Sequence, residues 1–484
     1  MIGKRRSWSL TSSVLVSERV ALVLGIVTVG VLVALFGRYG YDDPYITFRY
    51  ARNLLEGNGF VYNVGQRTLS TTAPLYGLLL AGMGLAWPDL PSLASSLSAL
   101  ALVLAAALLV LQARAHNEMP VGLAGGLFLS IAPLAVTTFG SESCLYVASV
   151  LAGLYAYDRS RLEVAAVTLA AAAMIRPDGL LAAAVLAAYH LFSRRIVPWR
   201  PVILYLALTG IWFSGLWLYY GSPIPVTLLA KQQQGLMAIS PSFPERFVTL
   251  VRNYLRMPFV WVHFALALVG LAQIARKAHH WLPLLTWTAA YFLAYSMLGV
   301  SAYFWYYTPL LPAMVILVAE GLRALARLLA RVVSRELVVV GTGLLIIVLL
   351  SPLLGVTLRA AWSPDSRQPL YREIGEWLDQ NTDINATVGT LEVGIIGYYS
   401  DRTMLDFAGL IQPDVAQQLG KTTSYAEPTV WAIQTMAPDY VILHRDAFAD
   451  VTKSDWFAAS YEPVRDFSGE QTLWMTVYRA REGQ

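Results

Sequence analysis

Cysteine occurs once, at Cys144, which excludes intrachain disulfides and cysteine-rich metal centres. Histidine is scarce as well, at 6 residues. Charged side chains make up only 14% of the 484 residues, where a soluble protein carries about 25%. Internal repeats and low-complexity tracts are not apparent. The apolar run after Lys4, Arg5 and Arg6, from about Val20 to Phe36, lacks a small-residue cleavage site, so it reads as a first transmembrane helix and not as a signal peptide. What the chain has in excess is apolar material. Of its residues 56% are hydrophobic and the mean hydropathy is +0.53, more than one aqueous core absorbs. These values describe an integral membrane protein, with membrane lipids as its surroundings, and nothing in them points to nucleic acid.

Polarity is unevenly distributed. Residues 1–359 carry 26 Lys and Arg against 13 Asp and Glu, a net of +13, whereas residues 360–484 carry 9 against 18, a net of −9. The chain therefore divides into a transmembrane part, 1–359, and a soluble part, 360–484. Eleven apolar stretches approach the roughly 20 residues that a helix needs to cross a bilayer. They lie near 20–38, 93–112, 120–139, 143–157, 163–176, 179–192, 201–219, 257–275, 282–300, 306–325 and 337–357. With the N-terminus in the cytoplasm, 16 of the 26 cations fall in short cytoplasmic loops or flanks, as the positive-inside rule requires. Residues 39–92, 140–142, 220–256, 301–305 and the whole acidic tail then lie outside. Thr72–Trp87 resembles a further span, but counting it as one puts the pair Arg194 and Arg195 outside; it reads as an amphipathic helix on the outer membrane surface. In the tail, strands are expected at Asn385–Leu391, Met404–Phe407, Tyr440–Leu443 and Leu473–Arg479, with a helix at Pro428–Met436. They make an extracytoplasmic α/β domain of about 120 residues, long enough for a core of its own.

The informative segment follows the first span: Tyr41-Asp42-Asp43-Pro44-Tyr45-Ile46-Thr47-Phe48-Arg49-Tyr50-Ala51, then Gly57-Asn58-Gly59 and Thr71-Thr72-Ala73-Pro74-Leu75-Tyr76. Two adjacent carboxylates at a membrane boundary repel each other and are partly desolvated, which raises the pKa of at least one and suits it to proton transfer or cation binding. The ordinary alternative is that Asp42 and Asp43 cap the helix starting near Pro44. Sequence physics leaves the two readings about even.

The order of span, Asp-Asp, Arg-Tyr-Ala, Gly-x-Gly turn and Thr-x-x-Pro-Leu-Tyr helix resembles the first external loop of GT-C superfamily glycosyltransferases. It is most similar to the terminal arabinofuranosyltransferase branch, whose loop typically reads Asp-Asp-Ala-Tyr-Ile-Ser-Phe-Arg-Tyr-Ala. Asp42, Asp43, Tyr45, Ile46, Phe48, Arg49, Tyr50 and Ala51 match, while Pro44 and Thr47 depart conservatively. Gly65-Gln66 and Ser70-Thr71-Thr72 stand where that branch often has Gly-Glu and Gly-Tyr-Thr. Ser141-Glu142-Ser143 falls where the superfamily places a second acidic loop, and Arg176-Pro177-Asp178-Gly179 where related enzymes carry a cation for the donor phosphate. Tyr219-Tyr220-Gly221-Ser222-Pro223-Ile224-Pro225-Val226-Thr227 with Lys231 is similar to the branch's Tyr-Tyr-Gly-x-Pro-x-Pro-x-Thr loop.

The resemblance implies a membrane enzyme that transfers a sugar, arabinofuranose or another pentose or hexose, from a polyprenyl-phosphate donor to an extracytoplasmic glycan or lipid acceptor. It implies Asp42 as the acid/base residue, supported by Asp43 and Glu142, with Arg49, Arg176 and Lys231 on the donor phosphate, where Arg offers a bidentate fork and Lys a point charge. For Arg176 the alternative is a snorkelling membrane anchor, and for Glu142 a helix cap. Asp42, Asp43 and Glu142 together offer hard oxygen ligands for a divalent cation such as Mg, Mn or Ca, although no histidine accompanies them. No other cofactor is implied. Tyr303, Trp305, Tyr306 and Tyr307 read first as an interfacial aromatic belt and second as a stacking surface for sugar or isoprenoid. The acidic tail is expected to guide the acceptor or cap the pocket, without supplying the base or a donor contact. A lipid-sugar flippase is the main rival, yet the spans keep their ionisable groups near their ends and show neither repeats nor midplane charges.

Overall fold

The computed structural model describes residues 23–37, 40–237, 239–363, 365–420, 424–469 and 474–481. Lys4, Arg5, Arg6 and Arg19, four of the cations on which the expected orientation rests, lie outside the described residues. Helices occupy all eleven expected spans: Val23–Phe36, Leu90–Ala115, Met119–Ser130 continued by Pro133–Val136, Ser143–Asp158, Leu162–Ile175, Gly179–Arg194, Trp199–Tyr220, Pro258–Arg276, Leu282–Leu298, Leu311–Leu329 and Arg335–Trp362. Five helical stretches among the described residues are long and apolar enough to cross a bilayer unaided. The third span is broken just ahead of Pro133, which cannot donate the hydrogen bond that a continuous helix needs.

Small residues let the spans approach closely. A Cβ on Gly270 would fall on the Leu317 carbonyl oxygen, and one on Gly321 on the Leu266 carbonyl oxygen, so the Pro258–Arg276 and Leu311–Leu329 helices touch backbone to backbone. Gly321→Val should therefore force the pair apart, at about 1–3 kcal/mol or more. Thermal unfolding in detergent checks this, with a clear drop in melting temperature expected; an unchanged melting curve would show that the crossing is slack.

On the Asp42 side, helix Pro74–Gly84 has 11 residues. At about 1.5 Å per residue it covers roughly 16 Å, half the hydrocarbon thickness, so it is too short to span alone. The stretch 220–256, unassigned from sequence, contains two helices, Val226–Gly235 and Phe243–Leu255, the second opened by a capping box between Ser242 and Glu245.

The tail forms one five-stranded sheet of order β2-β1-β3-β5-β4, with β1 Thr387–Thr390, β2 Thr403–Asp406, β3 Tyr440–His444, β4 Tyr461–Ser468 and β5 Trp474–Ala480. The first three strands are parallel, and β3, β5 and β4 pair antiparallel. Four strands fall where the sequence places them. β4 escapes that reading because Pro463 and the charges Glu462, Arg465 and Asp466 suit only an edge strand, and its ladder shifts register at Pro463/Arg465. One face of the sheet packs Val388, Met404 and Ile442 into a core that runs on into Tyr45, Phe48 and Tyr76 of the membrane part. The other face packs Val441 and Leu443 into a core made of tail residues alone, so the tail both closes a core of its own and shares one with the Asp42–Leu55 helix.

Candidate functional site

The Asp42–Leu55 helix starts with its two carboxylates in the first turn, where the helix dipole favours negative charge. They face different ways. Asp42 Oδ2 accepts a hydrogen bond from the Gly394 N–H (3.0 Å) and Oδ1 one from the Ile395 N–H (2.7 Å), so Asp42 caps the tail helix Ile395–Ser400. Only glycine fits at 394, because a Cβ there would fall on the Asp42 carbonyl oxygen and 2.7 Å from its Cγ. Burial pushes the Asp42 carboxyl well above its usual range; Glu392 and Asp43 add to this, and the two amides oppose it.

Arg49 lies on the same helix and is 2% exposed. Its guanidinium donates to the carbonyls of Gly397 and Arg402, both at 2.6 Å, and stacks 4.5 Å from the Tyr62 ring. Arg49 therefore holds the tail down and does not line the chamber described next.

Asp43 faces the other way, into a cavity of about 640 Å³. Tyr41, Asp42, Asp43, Lys231, Gln234, Arg246, Tyr303 and Trp305 from the membrane part line it, with Arg367, Glu392 and Tyr425 from the tail. Lys231 Nζ donates to Asp43 Oδ2 at 3.1 Å and sits 3.5 Å from the Tyr303 ring centroid. Burial works against the Lys231 ammonium, but Asp43, Tyr303 and Tyr306 outweigh it and hold its pKa above the ordinary value. Trp305 stacks between Tyr41, at 4.9 Å, and Tyr303, at 4.6 Å. Of the four aromatics that read as an interfacial belt, Tyr303, Trp305 and Tyr307 thus line a wall of this chamber.

Arg176 is elsewhere. It is 5% exposed and pairs with Asp178 (2.8 Å), Glu142 (3.4 Å) and the hydroxyls of Tyr295 (2.8 Å) and Tyr291 (3.4 Å). Glu142, whose pKa burial raises, lines a small cavity of about 40 Å³ that shares Tyr41, Asp43 and Trp305 with the large one. Glu142 therefore lines only the small cavity beside Asp43, and Arg176 lines neither cavity.

The three carboxylates expected to share a divalent cation are each engaged separately: Asp42 by tail amides, Asp43 by Lys231 and Glu142 by Arg176. Among the described residues no three His, Cys, Asp or Glu side chains converge as metal ligands do, so the donor set does not fit one ion.

Sequence reasoning missed Arg246, Arg367, Glu392 and Tyr425. Arg246 belongs to the amphipathic Phe243–Leu255 helix inside a stretch with no assigned structure, and its 3.6-residue periodicity is the signal that could have found it. Glu392 and Tyr425 sit in connections that carry no motif. Arg367, Glu392 and Tyr425 bring the tail to the same space as Lys231, as a domain that caps the pocket would.

Comparison with known proteins gives three findings. A family model described as a domain of unknown function, DUF8728, matches residues 360–479. No curated protein sequence matches the chain. Solved structures do match: ArnT from Cupriavidus metallidurans bound to undecaprenyl phosphate has a TM-score of 0.65 at 14% identity, covering 96% of this chain and 98% of that one. The archaeal oligosaccharyltransferase AglB from Archaeoglobus fulgidus, in complex with an inhibitory peptide and a dolichol-phosphate, has a TM-score of 0.59 at 13% identity, covering 96% and 75%. The same oligosaccharyltransferase tethered to an acceptor peptide has a TM-score of 0.60 at 12% identity, covering 95% and 74%. The chain therefore shares the fold of these solved structures, a polytopic helical part followed by a C-terminal α/β domain.

Proposed function

We propose that this chain is a membrane glycosyltransferase that moves a sugar from a polyprenyl-phosphate donor to a glycan or lipid acceptor in the Asp43–Lys231 chamber. The observation that carries the reading is the buried Lys231 ammonium, fixed by Asp43 at 3.1 Å over Tyr303 at the edge of a 640 Å³ cavity. A lipid-phosphate leaving group gathers negative charge as its bond to the sugar breaks, and a preorganised cation in a partly dry site stabilises that charge most. Tyr303 and Trp305 offer flat faces for the sugar. Two of the similar structures hold a polyprenyl phosphate, undecaprenyl phosphate in ArnT and dolichol-phosphate in AglB, which supports the donor class. The Asp-Asp loop supports arabinofuranose or another pentose or hexose as the sugar, and the arginine distribution supports an extracytoplasmic chamber.

Arg246 is exposed, lines the chamber and has no ion-pair partner among the described residues. It is placed to meet the donor phosphate with Lys231. Arg246→Ala should weaken donor binding by about tenfold, the lower end of a charge-assisted hydrogen bond, with an unchanged melting temperature. Titration of the variant with polyprenyl phosphate checks this; unaltered affinity would remove Arg246 from the donor site. The function itself is tested by incubating the purified chain with synthetic polyprenyl-phosphate pentoses and hexoses and following release of the sugar. Movement of the intact donor across a vesicle without bond cleavage would favour a flippase instead.

A further inference from the structure

We infer that Glu392, backed by His444, is the base that takes the proton from the acceptor hydroxyl. This inference rests on the function proposed above and gives the tail a chemical part in it.

The topology of the tail points there first. Parallel strand β1 lies between β2 and β3. The chain leaves β1 for β2 through the Ile395–Ser400 helix, which packs with Met404 and Ile442 on one face of the sheet. It returns to β3 through the Ala426–Met436 helix, whose Ala432 and Ile433 pack with Val441 and Leu443 on the other face. The two connections diverge at β1 and β3, and in open α/β sheets the crevice beyond the carboxyl ends of such strands is where ligands bind. Glu392 stands two residues past the end of β1, and His444 is the last residue of β3. The chamber is lined at this edge by Leu391 and Glu392 after β1 and by Ala408 and Leu410 after β2. The carboxyl edge of the sheet therefore faces the membrane chamber.

The state of the carboxylates points there second. Of the three that line the chamber, Asp42 has each oxygen on a backbone amide and Asp43 is held by the Lys231 ammonium. Both arrangements occupy the oxygens that would have to meet an acceptor hydroxyl, Asp42 on both sides and Asp43 at Oδ2. Glu392 Oε1 instead lies 3.5 Å from His444 Nε2, a contact that is an ion pair only when the imidazole carries a proton, and both side chains are partly exposed. Tyr371, Arg367, Asp42, Asp406 and Tyr425 are further charged and titratable groups near Glu392. A carboxylate with an imidazole behind it can accept a proton and hand it on.

The step balances. The acceptor O–H gives its proton to Glu392 as the acceptor oxygen bonds to the anomeric carbon. The bond between that carbon and the phosphate oxygen breaks, and its electron pair leaves on the lipid phosphate, facing Lys231. The proton passes from Glu392 to His444 or to water.

The test uses the full chain in lipid nanodiscs with polyprenyl-phosphate arabinofuranose and the matching pentose and hexose donors, read by transfer and by donor binding. Glu392→Gln should lower kcat by about 10²-fold or more and leave the donor KM and affinity unchanged, whereas Glu392→Asp should recover part of the rate. In Glu392→Ala, added formate should restore turnover, which no packing role would produce. His444→Gln should alter the acidic limb of the pH–rate profile. If the wild type neither binds nor turns over any of these donors, the proposed function falls and the role of Glu392 with it. If the wild type transfers sugar while Glu392→Gln stays within about threefold, or formate leaves Glu392→Ala inactive, the assignment of Glu392 is overturned and the proposed function stands.

Discussion

Lys231→Met should lower kcat/KM for a polyprenyl-phosphate donor by about 10²- to 10³-fold, since a charge-assisted hydrogen bond contributes about 1.5–3 kcal/mol and its loss here has a second effect. Lys231 is 3% exposed and neutralises Asp43, so its removal leaves an uncompensated carboxylate facing the incoming phosphate. Methionine keeps the length and apolar character of the stem against Tyr303, which confines the change to charge. The double variant Lys231→Met with Asp43→Asn should then bind donor better than the single one, because the repulsion has gone while the clamp is still missing. Steady-state kinetics and donor titration on the four proteins of this cycle measure the coupling. Near-normal turnover by Lys231→Met would place the donor phosphate elsewhere.

Gly394→Val should bring transfer below detection. The added branch would collide with Asp42, removing both amide hydrogen bonds to its carboxylate and lifting the tail from the Asp42–Leu55 helix. Arg49 would then exchange its two carbonyl partners Gly397 and Arg402 for water, removing a further tie between the tail and the helix. Because Arg367, Glu392 and Tyr425 complete the chamber, donor affinity should fall together with the rate. Gly355→Val is the matched control, since a Cβ there meets nothing within 4 Å. Limited proteolysis reports the docking directly, with the tail released early in Gly394→Val and protected in Gly355→Val. Equal protection in both would show that the Asp42 contact does not hold the tail.

These outcomes mark where sequence reasoning reaches and where it stops. Span positions are legible because bilayer crossing demands long apolar runs, and the three parallel strands are legible because each is a short β-branched or apolar run. Asp42, Asp43 and Lys231 stand out as charges beside a membrane. Their partners do not, since the direction of a carboxylate in the first turn of a helix depends on what the tail presents more than 300 residues later. Arg49 shows the same limit: as a cation on an outer loop it reads as a phosphate clamp, while its buried guanidinium grips two carbonyls of the tail. Arg176 likewise reads as a donor contact at the outer mouth, and folding surrounds it with Asp178, Glu142 and two tyrosines. Glu392 carries no local pattern, and only the placement of the sheet's carboxyl edge over the chamber singles it out.

The central claim is that donor chemistry takes place between Lys231 and Glu392. The most direct measurement is a structure of the full chain with a non-transferable phosphonate analogue of a polyprenyl-phosphate sugar. The phosphonate oxygens should lie within hydrogen-bonding distance of Lys231 Nζ, with the sugar against Tyr303 and Trp305 and its anomeric carbon open towards Glu392. A phosphonate bound at Arg176, or anywhere outside the Asp43–Lys231 chamber, would contradict the account.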